Sequence, residues 1–196
     1  MWNIKTPGIP DELFDRDEGV PITKEEVRVV QISKARLKPG MIVYDIGCGS
    51  GSISVEAALQ VEHSGHVHAI DNDVKAIELT KKNLIKFGIT NVSTVNKDAN
   101  ESVSQLPEAD AIFIGGTGKE TKEIVRLCQD KLKQGGRIVI GMILIETIFS
   151  VLSLIQELSF NSVDITQVTI SKSRKTSTGT MMLARNPVTI LSATKN

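Results

Sequence analysis

Cysteine is nearly absent from this chain: two residues, Cys48 and Cys128, in 196. They stand far apart and form no C-x-x-C pair. That argues against a disulfide framework or a cysteine-built metal site and for reduced thiols in a cytoplasmic protein. Aromatics are also scarce, at 4%, too few for a surface built to stack many bases. Neither charge prevails, since 23 Lys and Arg balance 23 Asp and Glu. The chain therefore lacks the overall basic footprint of a nucleic-acid binder. Long apolar runs are missing too. The longest, Ile138–Ile145 (IVIGMILI), has eight residues, too short to cross a bilayer. The opening stretch, MWNIKTPGIPDELF, has no apolar core of signal-peptide type. The expectation is a cytoplasmic protein with neither a membrane nor a nucleic acid as partner.

What is present is an alternation of strand and helix patterns along one domain, residues 1–196. A Pro/Gly-punctuated leader occupies 1–22, and a helix is expected over 23–37. Thr23 with Glu26 three residues later reads as a capping box for that helix. Met41–Ile46 reads as a buried strand, followed by a glycine-rich loop and a helix through Ile53, Val55, Ala57, Ala58 and Leu59. His66–Ile70 is a second strand, ending at Asp71. Val74, Ile77, Leu84 and Phe87 then space the inner face of a helix. Further strands are expected at Val92–Val95, Ala109–Ile114 and Arg137–Ile140. A helix with Ile124, Leu127 and Leu132 precedes the last of these, and Glu146–Leu158 is a helix after it. The final forty residues hold two β-rich stretches, Ser162–Ser171 and Thr180–Leu191, joined by a polar loop, KSRKTSTG. Such alternation implies an α/β fold with a mostly parallel sheet covered on both faces, and the closing hairpin adds one antiparallel strand.

The segment DIGCGSGSIS, residues 45–54, concentrates the functional signal. Gly47, Gly49 and Gly51 can adopt positive φ and leave a ligand unobstructed by Cβ atoms. A nicotinamide fingerprint would need glycine at position 52, which is Ser52, and no P-loop run exists. Asp45 is unfavourable beside a pyrophosphate but suits a ligand with an ammonium group and a sulfonium centre. Asp71, at the tip of the second strand, is positioned for a ribose diol. Asp98 and Ala99, just past the third strand, could border an adenine ring. This pattern resembles the class I S-adenosylmethionine-dependent methyltransferases, with a Rossmann-like, seven-stranded sheet.

Further motifs narrow the resemblance: GIPDELF, PITKEEVR, DIGCGSGSISVE, AIDNDVKAI, GGTGKE, LKQGGRIVIGMILIET and GTMMLARNPV. They look like the decarboxylating precorrin methyltransferases of cobalamin biosynthesis, and within these the stand-alone cobalt-precorrin-6B C15-methyltransferases. The resemblance runs nearly end to end. It implies a cofactor site of Thr23, Gly47, Cys48, Gly49, Ser50, Gly51, Asp71 and Ala99, to which the residue reading adds Asp45 and Asp98. Thr23 could cap its helix, touch the cofactor, or do both. Cys48 would contribute backbone contacts rather than thiol chemistry.

The implied substrate is a tetrapyrrole bearing many carboxylates. Lys172 and Arg174 in the polar loop could grip its rim, and Gly115, Gly116 and Thr117 could admit the flat ring. Alternatively, those glycines merely turn the chain and the loop is simply solvated. Glu146 and Thr147, after the fifth strand, are candidates to assist decarboxylation. No Ser–His–Asp or Cys–His arrangement is assignable, and none is needed for in-line methyl transfer. His63, His66 and His68 straddle a turn remote from the ligand edge, so no protein-bound metal is expected; any cobalt would arrive inside the substrate. The family resemblance implies a homo-oligomer, and a tetramer is the expected form. The chain is too short to carry the C5-methyltransferase domain found fused in some relatives. Two other functions stay open: an RNA (tRNA) methyltransferase, and a non-catalytic S-adenosylmethionine-binding subunit.

Overall fold

The structure, a computed structural model, describes residues 2, 4–158 and 160–196, with side chains except that of residue 119. Met1 and Asn3 of the leader lie outside the described residues. The elements are α1 (Glu25–Ala35), β1 (Ile42–Ile46), α2 (Ser52–Val61), β2 (His66–Asp71), α3 (Val74–Phe87), β3 (Val92–Asn96), α4 (Ala99–Ser102), β4 (Ala109–Ile114), α5 (Thr121–Lys131), β5 (Leu132–Met142), α6 (Ile145–Glu157), β6 (Asn161–Val168), β7 (Ser171–Thr176), β8 (Gly179–Ala184) and β9 (Val188–Thr194).

Seven strands form one sheet in the order β3-β2-β1-β4-β5-β9-β6. β9 pairs antiparallel with both β5 and β6, and the other pairings are parallel. The period-two alternation of side chains sorts the core into two layers. Tyr44, Ile46, Ile112, Ile114, Ile138 and Ile140 pack with Ile124, Val125 and Cys128 of α5 and with Leu154 and Ile155 of α6. Val43, Val67, Ala111, Phe113 and Val139 pack instead with Val27, Ile32 and Ala35 of α1 and with Ala57, Ala58 and Val61 of α2. Burial on both faces explains the nearly continuous apolar strands. The chain leaves β1 for β2 on one side and later returns beside β1 as β4. This switch point at the strands' carboxyl ends is where open α/β sheets take ligands.

The capping box does not form. The N-cap of α1 is Lys24, without a side-chain cap. The Glu25 N–H instead donates to Asp11 Oδ1 at 2.9 Å, and Glu26 faces Lys172 of β7, 2.5 Å away. A carboxylate from the leader has displaced the local cap. The helix spans Glu25–Ala35 rather than 23–37, because Arg36 turns left-handed at φ 53°. Val74 is exposed, so the buried face of α3 runs through Ala76, Ile77, Leu79, Thr80, Asn83, Leu84 and Phe87. Leu132 begins β5 instead of closing α5.

The C-terminal stretch differs most from expectation. The polar segment expected to be a loop is largely strand β7, which pairs with β8 as a separate two-stranded ribbon turning at Ser177-Thr178. A ribbon exposed on both faces needs no apolar alternation, so its pattern is invisible in sequence. Thr180–Leu191 is broken at Arg185–Pro187, where Pro187 has no N–H for a ladder, so β8 and β9 are separate strands.

Candidate functional site

The loop after β1 is held from several directions. Gly47 N–H and Cys48 N–H both donate to Ile70 O, at 2.9 and 3.1 Å, tying the loop to the end of β2. From α3, Thr80 Oγ1 donates to Gly49 O at 3.0 Å and Asn83 Nδ2 donates to Ser50 O at 2.8 Å. From the leader, Pro21 O accepts the Ser50 N–H at 3.1 Å. Gly47 has φ +73°, and a Cβ there would lie 1.8 Å from Gly115 O. Only glycine fits that crossing of two loops.

Asp45 does not project freely. It is 3% exposed, and its carboxylate accepts both the hydroxyl and the N–H of Ser54, clamping the first turn of α2 to β1. Burial, with the charge of Asp71 nearby, pushes its carboxyl up to about 6. Asp71 Oδ2 accepts the Gly49 N–H and Oδ1 the Asp73 N–H, each at 3.0 Å. Asp71 lines the cleft, and each of its oxygens can accept a second hydrogen bond. Asp98 caps α4 through the Asn100 N–H, and Ala99 is buried beside it. Burial pushes both the Cys48 and Cys128 thiols well above their ordinary range, so neither is a ready nucleophile.

Along the carboxyl edge of the sheet these residues border a cleft of about 420 Å³. Gly47, Asp71, Asp98, Ala99, Gly116 and Thr117 line it, together with Pro21 and Lys97. A second lobe of about 220 Å³ shares Gly116, Thr117 and Gly118 with the first and runs to Met142, Ile143, Leu144 and Thr147. A third cavity, of about 20 Å³, lies behind Gly47 and is bordered by Thr23, Gln31, Asp45, Cys48 and Gly115. Ser50 and Gly51 buttress the loop from within, and Ser50 Oγ is buried with no hydrogen-bond partner among the described residues.

Gly49, Ser50 and Gly51 of the loop line none of these three spaces, and three further expected site residues also fall outside them. Glu146 is exposed in the first turn of α6. Lys172 is engaged by the chain's own carboxylates, 3.1 Å from Glu25 and 2.5 Å from Glu26, so it ties the ribbon to α1 instead of pointing free. Arg174 is exposed on β7. His66 Nε2 meets Ser93 Oγ at 2.7 Å, and His68 packs edge-on to Tyr44.

Sequence reasoning missed how the leader is anchored. Arg28, fully buried, meets Glu56 at 2.6 Å and Asp11 at 3.3 Å. It also donates to the carbonyls of Ile9 and Thr23. Glu56 accepts the N–H groups of Gly8 and Ile9, each at 3.0 Å. This charge pair fastens the leader over α1 and α2 and so sets Pro21 against the glycine loop. Its only sequence signal is a charged residue at a buried helical position of each helix.

A family model described as "Precorrin methyltransferase domain" matches residues 12–195. The chain belongs to the precorrin methyltransferase family. It is 48% identical over 196 residues (99% of this chain, 98% of the relative) to a Saccharolobus solfataricus protein named "Probable cobalt-precorrin-6B C(15)-methyltransferase (decarboxylating)". Among solved structures, the precorrin 8w decarboxylase of Methanobacterium thermoautotrophicum superposes with TM-score 0.88 at 37% identity, covering 94% of this chain and 98% of that one. A precorrin-6y C5,15-methyltransferase from Geobacter metallireducens gives TM-score 0.89 at 32% identity, with 97% and 99% covered. Membership in this precorrin methyltransferase family and the Rossmann-like architecture agree with the sequence reading.

The family implies a sulfonium methyl donor, and the residues present fit one. Beside the glycine loop a buried acceptor, Gln31 Oε1, has no hydrogen-bond partner among the described residues. A Cβ at Gly115 would meet nothing within 4 Å, so that glycine is dictated neither by packing nor by a positive φ. Gly115 borders the small cavity behind Gly47.

Proposed function

We propose that this precorrin methyltransferase transfers a methyl group from S-adenosylmethionine to C15 of cobalt-precorrin-6B, with decarboxylation of the C12 acetate. The observation that carries the reading is the two-lobed cleft joined at Gly116–Gly118. One lobe offers acidic and glycine contacts for a nucleoside, and the other offers an apolar lip for a flat ring. When bound, S-adenosylmethionine supplies an electrophilic methyl group whose carbon–sulfur bond breaks with the electron pair left on sulfur. Asp71 would accept the ribose hydroxyls, Asp98 and Ala99 would border the adenine, and Gly47–Gly51 would pass beneath the donor.

In this reading C15 provides the electron pair for the new bond. The macrocycle, left cationic, takes up the pair released when the acetate loses carbon dioxide. No side chain has to act as nucleophile. The chain's work is to align donor and acceptor and keep water out. Gly115, Gly116 and Thr117 would admit the ring edge, Ile143 and Leu144 would cover its face, and Thr147 would hydrogen-bond a peripheral group. Arg174 would pair with a substrate carboxylate, and Lys172 would brace the ribbon that carries it.

The proposed assembly is a homo-oligomer, a tetramer, in the cytoplasm. Val163 and Ile165 are exposed on the sheet's edge strand β6, and Met181 and Met182 on β8; pairing between copies would cover them. Among the described residues no helix is long and apolar enough to cross a membrane.

Product analysis tests the reaction. Purified protein with methyl-labelled S-adenosylmethionine and cobalt-precorrin-6B should yield a product with one methyl gained and one carbon dioxide lost. Absence of both changes would refute the assignment. Sedimentation velocity tests the assembly, and a monomer at micromolar concentration would remove it.

A further inference from the structure

We infer that Gln31 binds the amino-acid end of the sulfonium donor, its side-chain oxygen accepting a hydrogen bond from the donor's ammonium group. The inference rests on the reading that the chain binds S-adenosylmethionine, and it concerns a residue outside the glycine loop and the strand-end acids.

Gln31 sits on the buried face of α1, in line with Val27, Ile32 and Ala35, and is 5% exposed. A polar amide at such a position is expected to be fully hydrogen-bonded. Its Oε1 has no hydrogen-bond partner among the described residues. The amide has nevertheless been given room. It lies over β5 at Gly141, where a Cβ would be 2.4 Å from Gln31 Nε2. The fold thus omits one side chain to seat another whose oxygen has no hydrogen-bond partner among the described residues.

Gln31 lines the small cavity of about 20 Å³ together with Thr23, Asp45, Gly47 and Gly115. A space of that order holds one group the size of a water or an ammonium. Gly47 borders both this cavity and the main cleft, so a ligand whose nucleoside lies in the cleft would extend its tail past Gly47 into it. The sign of the charge follows from the neighbours. The Asp45 carboxylate on the same cavity repels an anion and attracts a cation. A carboxyl group of the ligand is therefore excluded from this spot. An ammonium brings N–H donors for both the Asp45 carboxylate and the Gln31 oxygen. Asp45 supplies charge, and Gln31 supplies a neutral acceptor fixed in direction by its packing against Gly141.

The test uses two probes on the intact chain by calorimetry: S-adenosylhomocysteine, and 5′-methylthioadenosine, which keeps the nucleoside and thioether but lacks the amino-acid part. Gln31→Met preserves volume and removes the oxygen. It should weaken S-adenosylhomocysteine roughly tenfold or more and leave methylthioadenosine within about twofold. Gln31→Glu restores an acceptor and should bind S-adenosylhomocysteine within a few-fold of wild type. Equal losses for both probes in Gln31→Met, or no loss for either, would overturn the inference. So would a large loss in Gln31→Glu, which decides the matter if Gln31→Met does not fold. Wild-type protein that binds neither probe would instead remove the donor reading and this inference with it. Wild-type binding of both, with Gln31→Met unaffected, removes the inference alone.

Discussion

Arg28 Nε donates to Glu56 Oε1 across 2.6 Å, with both side chains essentially excluded from solvent. The pair joins α1 to α2, and through Glu56 it also holds the N–H groups of Gly8 and Ile9. Removing Glu56 leaves the buried Arg28 with only the longer Asp11 ion pair among the described residues and frees the two backbone donors of Gly8 and Ile9. Glu56→Ala should therefore cost about 3–5 kcal/mol, read as a lowered urea midpoint. It should also weaken donor binding, because Pro21 is carried on the leader that this pair anchors. A midpoint within experimental scatter of wild type would show that the leader is held otherwise.

Asp71 offers a cleaner separation of binding from stability. Its carboxylate accepts the N–H groups of Gly49 and Asp73 at the cleft edge. Asp71→Ala should reduce S-adenosylhomocysteine affinity by roughly tenfold or more, the scale of a lost charged hydrogen bond. The melting temperature should move by only a few degrees or so. Unchanged affinity would remove Asp71 from the ribose contact.

Two glycines should respond oppositely to the same substitution. Gly47→Ala places a methyl 1.8 Å from Gly115 O at a positive φ. It should destabilise the fold by about 2 kcal/mol or more, visible as a depressed melting temperature. Gly115→Ala meets nothing within 4 Å. It should leave the melting temperature unchanged and impair substrate or donor affinity. Equal stability losses in the two variants would contradict this division.

Asp45 predicts a pH dependence. Its carboxyl is raised to about 6, mainly by burial and then by Asp71, while Ser54 opposes the shift. The adjacent Cys48 thiol, pushed up by burial, stays neutral throughout this range. The folded chain thus holds this proton more tightly than the unfolded chain, whose value is near 3.8. Its contribution to stability falls as pH rises from about 4 to about 6 and is level above that. An ammonium-bearing ligand needs the ionised form, so S-adenosylhomocysteine affinity should rise through about pH 6 and then plateau. Calorimetry across this range should show the rise abolished in Asp45→Asn; a persisting rise would assign it to another group.

The sequence alone determined the alternation of strands and helices, the glycine loop at the end of β1 and the acids at the ends of β2 and β3. These are local properties: hydrophobic period, glycine's access to positive φ, and carboxylates at strand tips can all be read within about ten residues. Only the tertiary structure decided that Asp11 caps α1 in place of Thr23, that Lys172 is tied to Glu25 and Glu26, and that β9 inserts between β5 and β6. The same holds for the unpartnered oxygen of Gln31. Each depends on residues far apart in the chain, where burial and competition among donors and acceptors select one partner from several that local spacing permits.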